Sequence, residues 1–296
     1  MSFKSGFVAI IGKPNVGKSS LINAILGQKI SITSPKAQTT RNKVLGIYNT
    51  PEYQIVFVDT PGVQNTQSEL GKYMAKAVDS GKSGADCIVI LLDATSVTDT
   101  DYKLIESHAK AKVPVYVVIN KIDLASYQKL YPILAKLNEY KWVRQFFTVS
   151  ALKHQRLDEL IQELAKNLPE GEPLYPTDTA SDRPLKFLAA EAIREKALLF
   201  LQQEIPHNVA VEITQYLEGA TKSSIFADII CDSDRHKQII IGKNGSMLKK
   251  IGEASRKELA KMVGQPVDLK LFVKVRPNWK NSNSILAELG YNDKDL

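Results

Sequence analysis

A glycine-rich octapeptide between two apolar stretches is the feature that most restricts how this chain can fold. The octapeptide is Gly12-Lys13-Pro14-Asn15-Val16-Gly17-Lys18-Ser19, preceded by residues 7–11 and followed by residues 21–26. It fits the pattern GxxxxGK[ST] between a predicted strand and a predicted helix, where backbone N–H groups and the helix N-terminus converge on an anion. The motif predicts a nucleoside triphosphate site in which Lys18 reaches the β- and γ-phosphates and Ser19 holds Mg²⁺.

Strand and helix patterns alternate as far as residue 168, which is typical of an α/β fold whose mostly parallel, six-stranded sheet carries helices on both faces. Ligands in such folds bind beyond the carboxyl ends of the strands. We expect this first domain to span residues 1–170. The predicted strands are 7–11, 44–48, 54–59, 87–93, 115–120 and 146–150, and the predicted helices are 19–26, 69–80, 101–110, 130–137 and 157–168.

A proline-rich stretch ends this alternation. Pro169, Pro173, Pro176 and Pro184 favour a linker over residues 171–183. Beyond it, the pattern predicts a smaller α+β domain over residues 184–296, which is an ordinary domain size. Its predicted elements are a helix at 185–202, strands at 209–216 and 224–231, two helices around a glycine turn of which the second is 246–263, a strand at 267–275 and a helix at 282–289.

Composition restricts the class of protein. Hydrophobic residues make up 44% of the chain, charged residues 24%, and the net charge is +7; this suits a globular protein and leaves an anionic partner open. Cys87 and Cys231 each stand in an apolar run, so we expect buried thiols in a reducing compartment. Neither a signal-peptide pattern nor a bilayer-spanning apolar run is found, so we expect a cytoplasmic protein.

A second motif, Asp59-Thr60-Pro61-Gly62, ends the third predicted strand. In phosphate-binding NTPases an Asp at this place holds Mg²⁺ through water, and the Gly N–H meets the γ-phosphate. The motif alone is weak, because Asp and Gly are common in ordinary turns. Its place at a strand end about forty residues beyond the phosphate loop makes it informative.

A third motif, Asn120-Lys121-Ile122-Asp123, ends the fifth predicted strand. The Asp123 carboxylate can accept hydrogen bonds from N1–H and the 2-amino group of guanine, a pair of donors that adenine lacks. Asn120 would join neighbouring loops, and the Lys121 stem would lie along the base. Ser150-Ala151-Leu152 ends the sixth predicted strand, where a backbone N–H could meet the guanine O6.

These motifs in this order resemble those of the translation-factor-like GTPases, over residues 1 to about 170. The polar segment 34–41 would then order when γ-phosphate is present, through a threonine hydroxyl on Mg²⁺, and Thr39 and Thr40 are equal candidates. The expected metal ligands are Ser19, Thr39, Thr40 and Asp59, and the expected catalytic residues are Lys18, Asn15, Thr39, Thr40 and Gly62.

One position departs from the Ras-like pattern. The residue after the DxxG glycine, where Ras-like GTPases carry a water-orienting Gln, is Val63, and Gln64 starts from the wrong place. We therefore expect slow intrinsic hydrolysis. Asn15 resembles the residue with which related GTPases hold K⁺, so K⁺ dependence is a hypothesis beside GTP/GDP and Mg²⁺.

The second domain contains the run Ile241-Gly242-Lys243-Asn244-Gly245, between an apolar helix and a basic amphipathic helix that includes Lys249 and Lys250. A GXXG turn lets a nucleic-acid backbone approach closely, and the neighbouring apolar groove can hold about four unpaired nucleotides. The element order is similar to that of a type II KH domain. Trp279 is a candidate for base stacking, although core packing is the simpler interpretation.

The two halves together resemble the Era family of bacterial GTPases over essentially the whole chain. The residues that carry the resemblance are PNVGKS at 14–19, QTTR at 38–41, DTPG at 59–62, NKID at 120–123 and IIIGKNG at 239–245. The resemblance implies binding of small-subunit (16S) ribosomal RNA near its 3′ end and assistance to assembly of the small ribosomal subunit. It also implies some association with the inner membrane surface, and we expect a monomer.

Two other function classes stay open on the residues alone. A P-loop kinase would transfer phosphate to an acceptor, and the guanine motif at 120–123 argues against it. A non-catalytic adaptor would use the second domain to bind protein, and the basic helix after Gly245 argues for RNA.

Overall fold

The first half of the computed structural model, which describes residues 2–36, 39–62 and 67–292, is built on a six-stranded sheet. Its order is β2-β3-β1-β4-β5-β6, with β2 antiparallel to β3 and every other neighbouring pair parallel. The predicted α/β class and mostly parallel sheet are confirmed. The strands are β1 (Lys4–Ile11), β2 (Val44–Asn49), β3 (Tyr53–Asp59), β4 (Cys87–Asp93), β5 (Val115–Asn120) and β6 (Gln145–Thr148).

Helices cover both faces of this sheet. Because β4 and β5 are covered on both sides, they are buried at every position, which explains their unbroken apolar sequences. One face packs against α1 and α5, and the other against α3 and α4. The helices are α1 (Lys18–Leu26), α2 (Glu69–Lys82), α3 (Asp99–Glu106), α4 (Tyr127–Leu137) and α5 (Leu157–Lys166).

The proline-rich stretch lies along the outer edge of this sheet. Ser181 forms an antiparallel bridge with Gly46 of β2, and Ile47 N donates to Ala180 O at 2.9 Å. Gln54 further binds the backbone of Leu174 and Tyr175. The stretch therefore occupies the backbone groups that an edge strand would otherwise expose.

The second half is a three-stranded sheet of order β7-β8-β9 with helices packed on one face. Strands β7 and β8 are antiparallel, and β8 and β9 are parallel. The order helix, strand, strand, helix, helix, strand is the predicted α+β arrangement of a type II KH domain. The elements are α6 (Leu185–Phe200), β7 (Ala210–Leu217), β8 (Ser223–Cys231), α7 (Asp234–Ile241), α8 (Ser246–Val263), β9 (Val267–Val275) and α9 (Asn283–Glu288).

A mixed apolar cluster joins the two halves. Leu70 and Met74 of α2 pack with Trp279, Leu286 and Tyr291 from the C-terminal end. Trp279 is fully buried, its ring lies 6.4 Å from that of Tyr291, and its Nε1 donates to Asn208 O. The core-packing interpretation of Trp279 is confirmed.

Both cysteines are buried, as expected, and burial raises the pKa of the Cys87 thiol to about 12. Among residues 2–36, 39–62 and 67–292, no helix is both long and apolar enough to cross a membrane.

Candidate nucleotide and RNA sites

The phosphate loop joins β1 to α1 and leaves the first turn of α1 open. Gly17 takes the N-cap position at φ 101° and has no side chain to occupy the N–H groups there. A Cβ at Gly17 would lie 2.3 Å from Asn120 Nδ2, so glycine is required both by conformation and by space. The loop is therefore shaped around backbone donors.

Lys18 is held inside this loop. Its Nζ donates to Gly12 O at 3.1 Å and Lys13 O at 3.0 Å. Burial lowers the pKa of Lys18 to about 8, against the opposing pull of the Asp59 charge. A buried ammonium whose hydrogen-bond partners among the described residues are carbonyl oxygens is suited to an incoming phosphate anion.

Three oxygen-bearing side chains converge beside Lys18. Ser19 Oγ donates to Asp59 Oδ2 at 2.7 Å and lies 2.8 Å from Thr40 Oγ1. The other carboxylate oxygen, Asp59 Oδ1, is buried and has no hydrogen-bond partner within the described parts of the chain. Burial raises the pKa of Asp59. These hard oxygen donors and the unsatisfied Oδ1 fit Mg²⁺.

The hydroxyl groups of Thr39 and Thr40 point to different partners. The Thr39 hydroxyl donates to Lys36 O at 2.6 Å, which takes it away from Ser19. Only Thr40, of the two candidates, meets the Ser19–Asp59 pair.

The DxxG turn lies directly on the phosphate loop. A Cβ at Gly62 would lie 2.9 Å from Pro14 N and Cα, so the two backbones are in close contact there. Thr60 donates its hydroxyl to Ile10 O at 2.9 Å and Pro61 is buried, so both have structural positions. Val63 and Gln64 lie outside the described residues.

The third motif ties three loops together at the far end of the site. Asn120 Nδ2 donates to Val16 O and Asn120 Oδ1 accepts from Ala151 N, each at 3.0 Å. This is the loop-joining position expected of Asn120. Asp123 Oδ1 accepts from Ser150 Oγ at 2.6 Å, which orients the carboxylate and leaves Oδ2 for a ligand.

Two lysines of the motifs have partners that their sequence positions do not indicate. Lys121 Nζ binds Asn15 O at 2.6 Å and Asp93 Oδ2 at 2.5 Å, so its stem spans the floor of the site. Lys13 Nζ instead forms an ion pair with Asp101 Oδ2 at 2.6 Å, at the start of α3. Lys13 thus contributes backbone rather than side chain to the loop.

The nucleotide cavity is lined by residues outside the sequence motifs as well as by the motifs. Its volume is about 720 Å³, and it is lined by phosphate-loop residues together with Thr39, Thr40, Gly62 and Lys121. Glu195, Lys196 and Leu199 of α6 complete the wall, together with Lys29 and Thr33. Sequence reasoning missed this second-half contribution, because α6 carries no motif that points to a nucleotide.

The second site is the turn between α7 and α8. Gly242 and Gly245 adopt φ 72° and 76°, and Asn244 between them adopts φ 51°, while Lys243 and Asn244 are exposed. At Gly242 a Cβ would lie 2.9 Å from Met247 N, so a side chain there would distort the turn. Ile241 is half-buried against the domain core.

A groove of about 430 Å³ opens beside this turn. Leu248, Leu269 and Leu271 supply an apolar wall, and Lys249 and Arg256 supply positive charge beside the carboxylate of Glu253. Lys250 points elsewhere, because its Nζ lies 4.5 Å from the ring centroid of Phe200. The groove thus combines an apolar wall with cations, which suits unpaired nucleotides.

Family models match both halves of the chain. Residues 7–121 match a model described as 50S ribosome-binding GTPase, and residues 204–280 match a model of the KH domain. Two relatives called GTPase Era, from Clostridium acetobutylicum and Lacticaseibacillus paracasei, are each 46% identical; the first alignment covers 98% of both chains, and the second covers 99% of this chain and 98% of the relative.

Two solved structures match almost the whole fold, each at a TM-score of 0.93 and 42% identity, with 98% of this chain and 99% of the other covered. One is Era in complex with MgGDPNP and nucleotides 1506–1542 of 16S ribosomal RNA. The other is a variant of Aquifex aeolicus Era bound to GDP·AlF₄⁻. Both family models, the identity of 46% over almost the whole chain and the matched fold agree, and the chain belongs to the Era family of GTPases.

Proposed function

We propose that this GTPase binds 16S ribosomal RNA near its 3′ end and assists assembly of the small ribosomal subunit. Its affinity for RNA depends on whether GTP or GDP is bound. The observation that carries the proposal is the presence in one chain of a guanine-type nucleotide cavity and a basic, apolar-walled groove. The relative solved with both MgGDPNP and 16S ribosomal RNA supports it at 42% identity.

At the nucleotide, we assign Lys18 and the backbone of residues 12–17 to the phosphates. Mg²⁺ supplies charge neutralisation when bound, and Ser19 and Thr40 are its direct ligands, with Asp59 acting through water. The hydroxyl geometry favours Thr40 over Thr39 for this role. Gly62 offers its N–H to the γ-phosphate.

At the base, Asp123 selects guanine, because its free oxygen and its charge match the N1–H and 2-amino donors. Ser150 orients that carboxylate. The Ala151 N–H, which we expected to meet the guanine O6, donates to Asn120 Oδ1 in this structure. Asn120 and Lys121 hold the surrounding loops in register.

Hydrolysis in this proposal is slow without a partner, because Val63 cannot orient water. Asn15 is the candidate for holding K⁺, and its amide donates to Pro35 O at 2.8 Å here. Comparing hydrolysis rates in Na⁺ and K⁺ buffers tests this role. Equal rates would remove K⁺ from the proposal.

At the RNA, the turn formed by Gly242, Lys243, Asn244 and Gly245 receives the backbone, and Lys249 contributes charge within the groove. We place Ile241 and Lys250 at the border of the groove.

The proposed boundaries are residues 1–170 for the first domain, 171–183 for the linker and 184–296 for the second domain. Cytoplasmic location, peripheral contact with the inner membrane surface and a monomeric state belong to the same proposal.

One experiment tests the proposal as a whole. A 16S 3′-end oligonucleotide is titrated into the protein loaded with GDP or GDPNP, while released phosphate is measured in parallel. We expect GTP hydrolysis without a phosphorylated acceptor and tighter RNA binding with GDPNP. Equal RNA affinity in both states would refute the coupling, and a phosphorylated acceptor would identify a kinase.

A further inference from the structure

We propose that α6 of the second domain completes the nucleotide site, with Glu195 acting as a positioning residue for the segment that carries Thr40. This inference rests on the proposed function, and it assigns the link between the second domain and the nucleotide site to one buried carboxylate. It concerns the bridging segment, defined as residues 33–36 and 39–41, which connects α1 to β2 around residues that are not described.

Along its length, the bridging segment contacts the first domain at some residues and the second domain at others. Pro35 O accepts from Asn15 Nδ2 of the phosphate loop at 2.8 Å, and Thr40 Oγ1 lies 2.8 Å from Ser19 Oγ. Further anchors go to the second domain. They join Thr33 N to Glu195, Lys36 Nζ to Leu201 O, Thr39 O to Arg194, and Arg41 Nη1 to Val209 O.

Glu195 is the best-connected of these anchors. It is only 2% exposed, and both of its oxygens accept hydrogen bonds. Oε1 accepts from Thr33 N at 2.9 Å, and Oε2 accepts from Lys29 Nζ at 2.6 Å and Lys196 Nζ at 2.7 Å. Hydrogen bonds to a buried carboxylate are strong and directional, so Glu195 fixes the position of the Thr33 backbone.

The charge of this cluster is balanced. Glu258 of α8 accepts from the same two lysines, at 3.0 Å from Lys29 and 3.3 Å from Lys196. Burial would raise the pKa of Glu195, but hydrogen bonds from Lys196, Lys29 and Thr33 lower it below its ordinary value. Glu195 is therefore anionic at neutral pH and holds both the segment and α6.

The cluster also lies in the wall of the nucleotide cavity. Glu195, Lys196 and Leu199 line the same 720 Å³ space as Lys18 and Thr40. A shift of α6 relative to the first domain would therefore move Thr33 through Glu195 and, through Arg194, the Thr39 backbone that precedes Thr40. Because GTP but not GDP needs Thr40 at the metal, α6 biases the site towards the triphosphate.

The test compares Glu195→Ala with Glu258→Ala. Both changes remove one carboxylate from the same two lysines, but only Glu195 touches the bridging segment. Affinities for GDP and for Mg²⁺–GDPNP are measured for the full chain with fluorescent analogues. We expect Glu195→Ala to weaken Mg²⁺–GDPNP about tenfold more than GDP, and Glu258→Ala to leave the ratio unchanged.

Equal loss of both nucleotides in Glu195→Ala, or the same ratio in both variants, would overturn the inference. If Glu195→Ala does not fold, hydrogen exchange at the Thr33 amide of the wild-type protein decides instead. Protection there must rise from the GDP to the GDPNP state. Wild-type protein that binds no guanine nucleotide or RNA would count against the proposed function, whereas a normal wild type with an unaffected Glu195→Ala variant counts against this inference alone.

Discussion

At the scale of single residues, the site depends on places where backbone must approach backbone. Gly62→Ala would put a methyl group 2.9 Å from Pro14 N and Cα, so one of the two loops must move. We expect affinity for a GTP analogue to fall about tenfold, with GDP binding retained, because only the γ-phosphate needs the Gly62 N–H. Nucleotide titration measures both.

The matched control is Gly171→Ala, since a Cβ there meets only Ser5 Oγ at an ordinary 3.4 Å. Equal GTP-analogue affinities in the two glycine variants would exclude a role for the Gly62–Pro14 contact.

Base selection provides a second residue-scale prediction. Asp123→Ala removes the acceptor proposed for guanine, and we expect GTP affinity to fall by about a hundredfold or more while ATP becomes a comparable ligand. Competition between GTP and ATP measures the selectivity. Asp158→Ala, which removes an exposed carboxylate in the first turn of α5, is the control and should retain GTP preference.

At the scale of elements, the sequence predicted the ends of a strand or helix well where a single hydrophobic pattern covers the whole element. Strands β4, β5 and β9 and helix α8 have the bounds expected from sequence. Helix α3 differs, because it begins at Asp99 and ends at Glu106 rather than spanning 101–110. The reason is that Asp101 Oδ2 accepts a hydrogen bond from Thr98 N at 2.8 Å, as the third residue of a capping box does, so the helix starts directly after Thr98.

The α7–α8 turn leads to a prediction about charge. Lys243→Glu should weaken binding of a short single-stranded RNA about tenfold at low salt and reduce the salt slope by about one, because one phosphate contact is lost. Filter binding at several salt concentrations measures both quantities. Lys110→Glu makes the same charge change beyond α3 and should leave both nearly unchanged; matching losses would mean that net charge alone governs binding.

At the scale of the whole molecule, the two domains share a buried cluster. Trp279→Ala should cost about 3–5 kcal/mol, because a fully buried indole leaves a cavity among Tyr291, Leu286 and α2. We expect calorimetry to show one unfolding transition for the wild type and two for the variant. Trp142→Ala, within the first domain, should lower stability without splitting the transition; a single transition in both variants would contradict the prediction.

The whole-molecule scale is also where sequence reasoning reached its limit. The motifs identified Lys18, Asp59 and Asp123 because each belongs to a motif of recognisable spacing at or just beyond the end of a strand. No such spacing predicts that Glu195 lines the nucleotide cavity or that Lys250 lies against the ring of Phe200. Those contacts arise only when two independently patterned domains dock, and neither local periodicity nor a motif records the docking.

The alternating partners of the bridging segment have a consequence for engineering. A chimera that joins this first domain to the second domain of a relative would pair the bridging segment with a foreign α6. Residues 29–41 should therefore be transplanted together with α6, as a single module, if the hybrid is to keep its nucleotide preference. The interchangeable unit in this protein is accordingly not a domain but a domain plus the stretch of its neighbour that it holds.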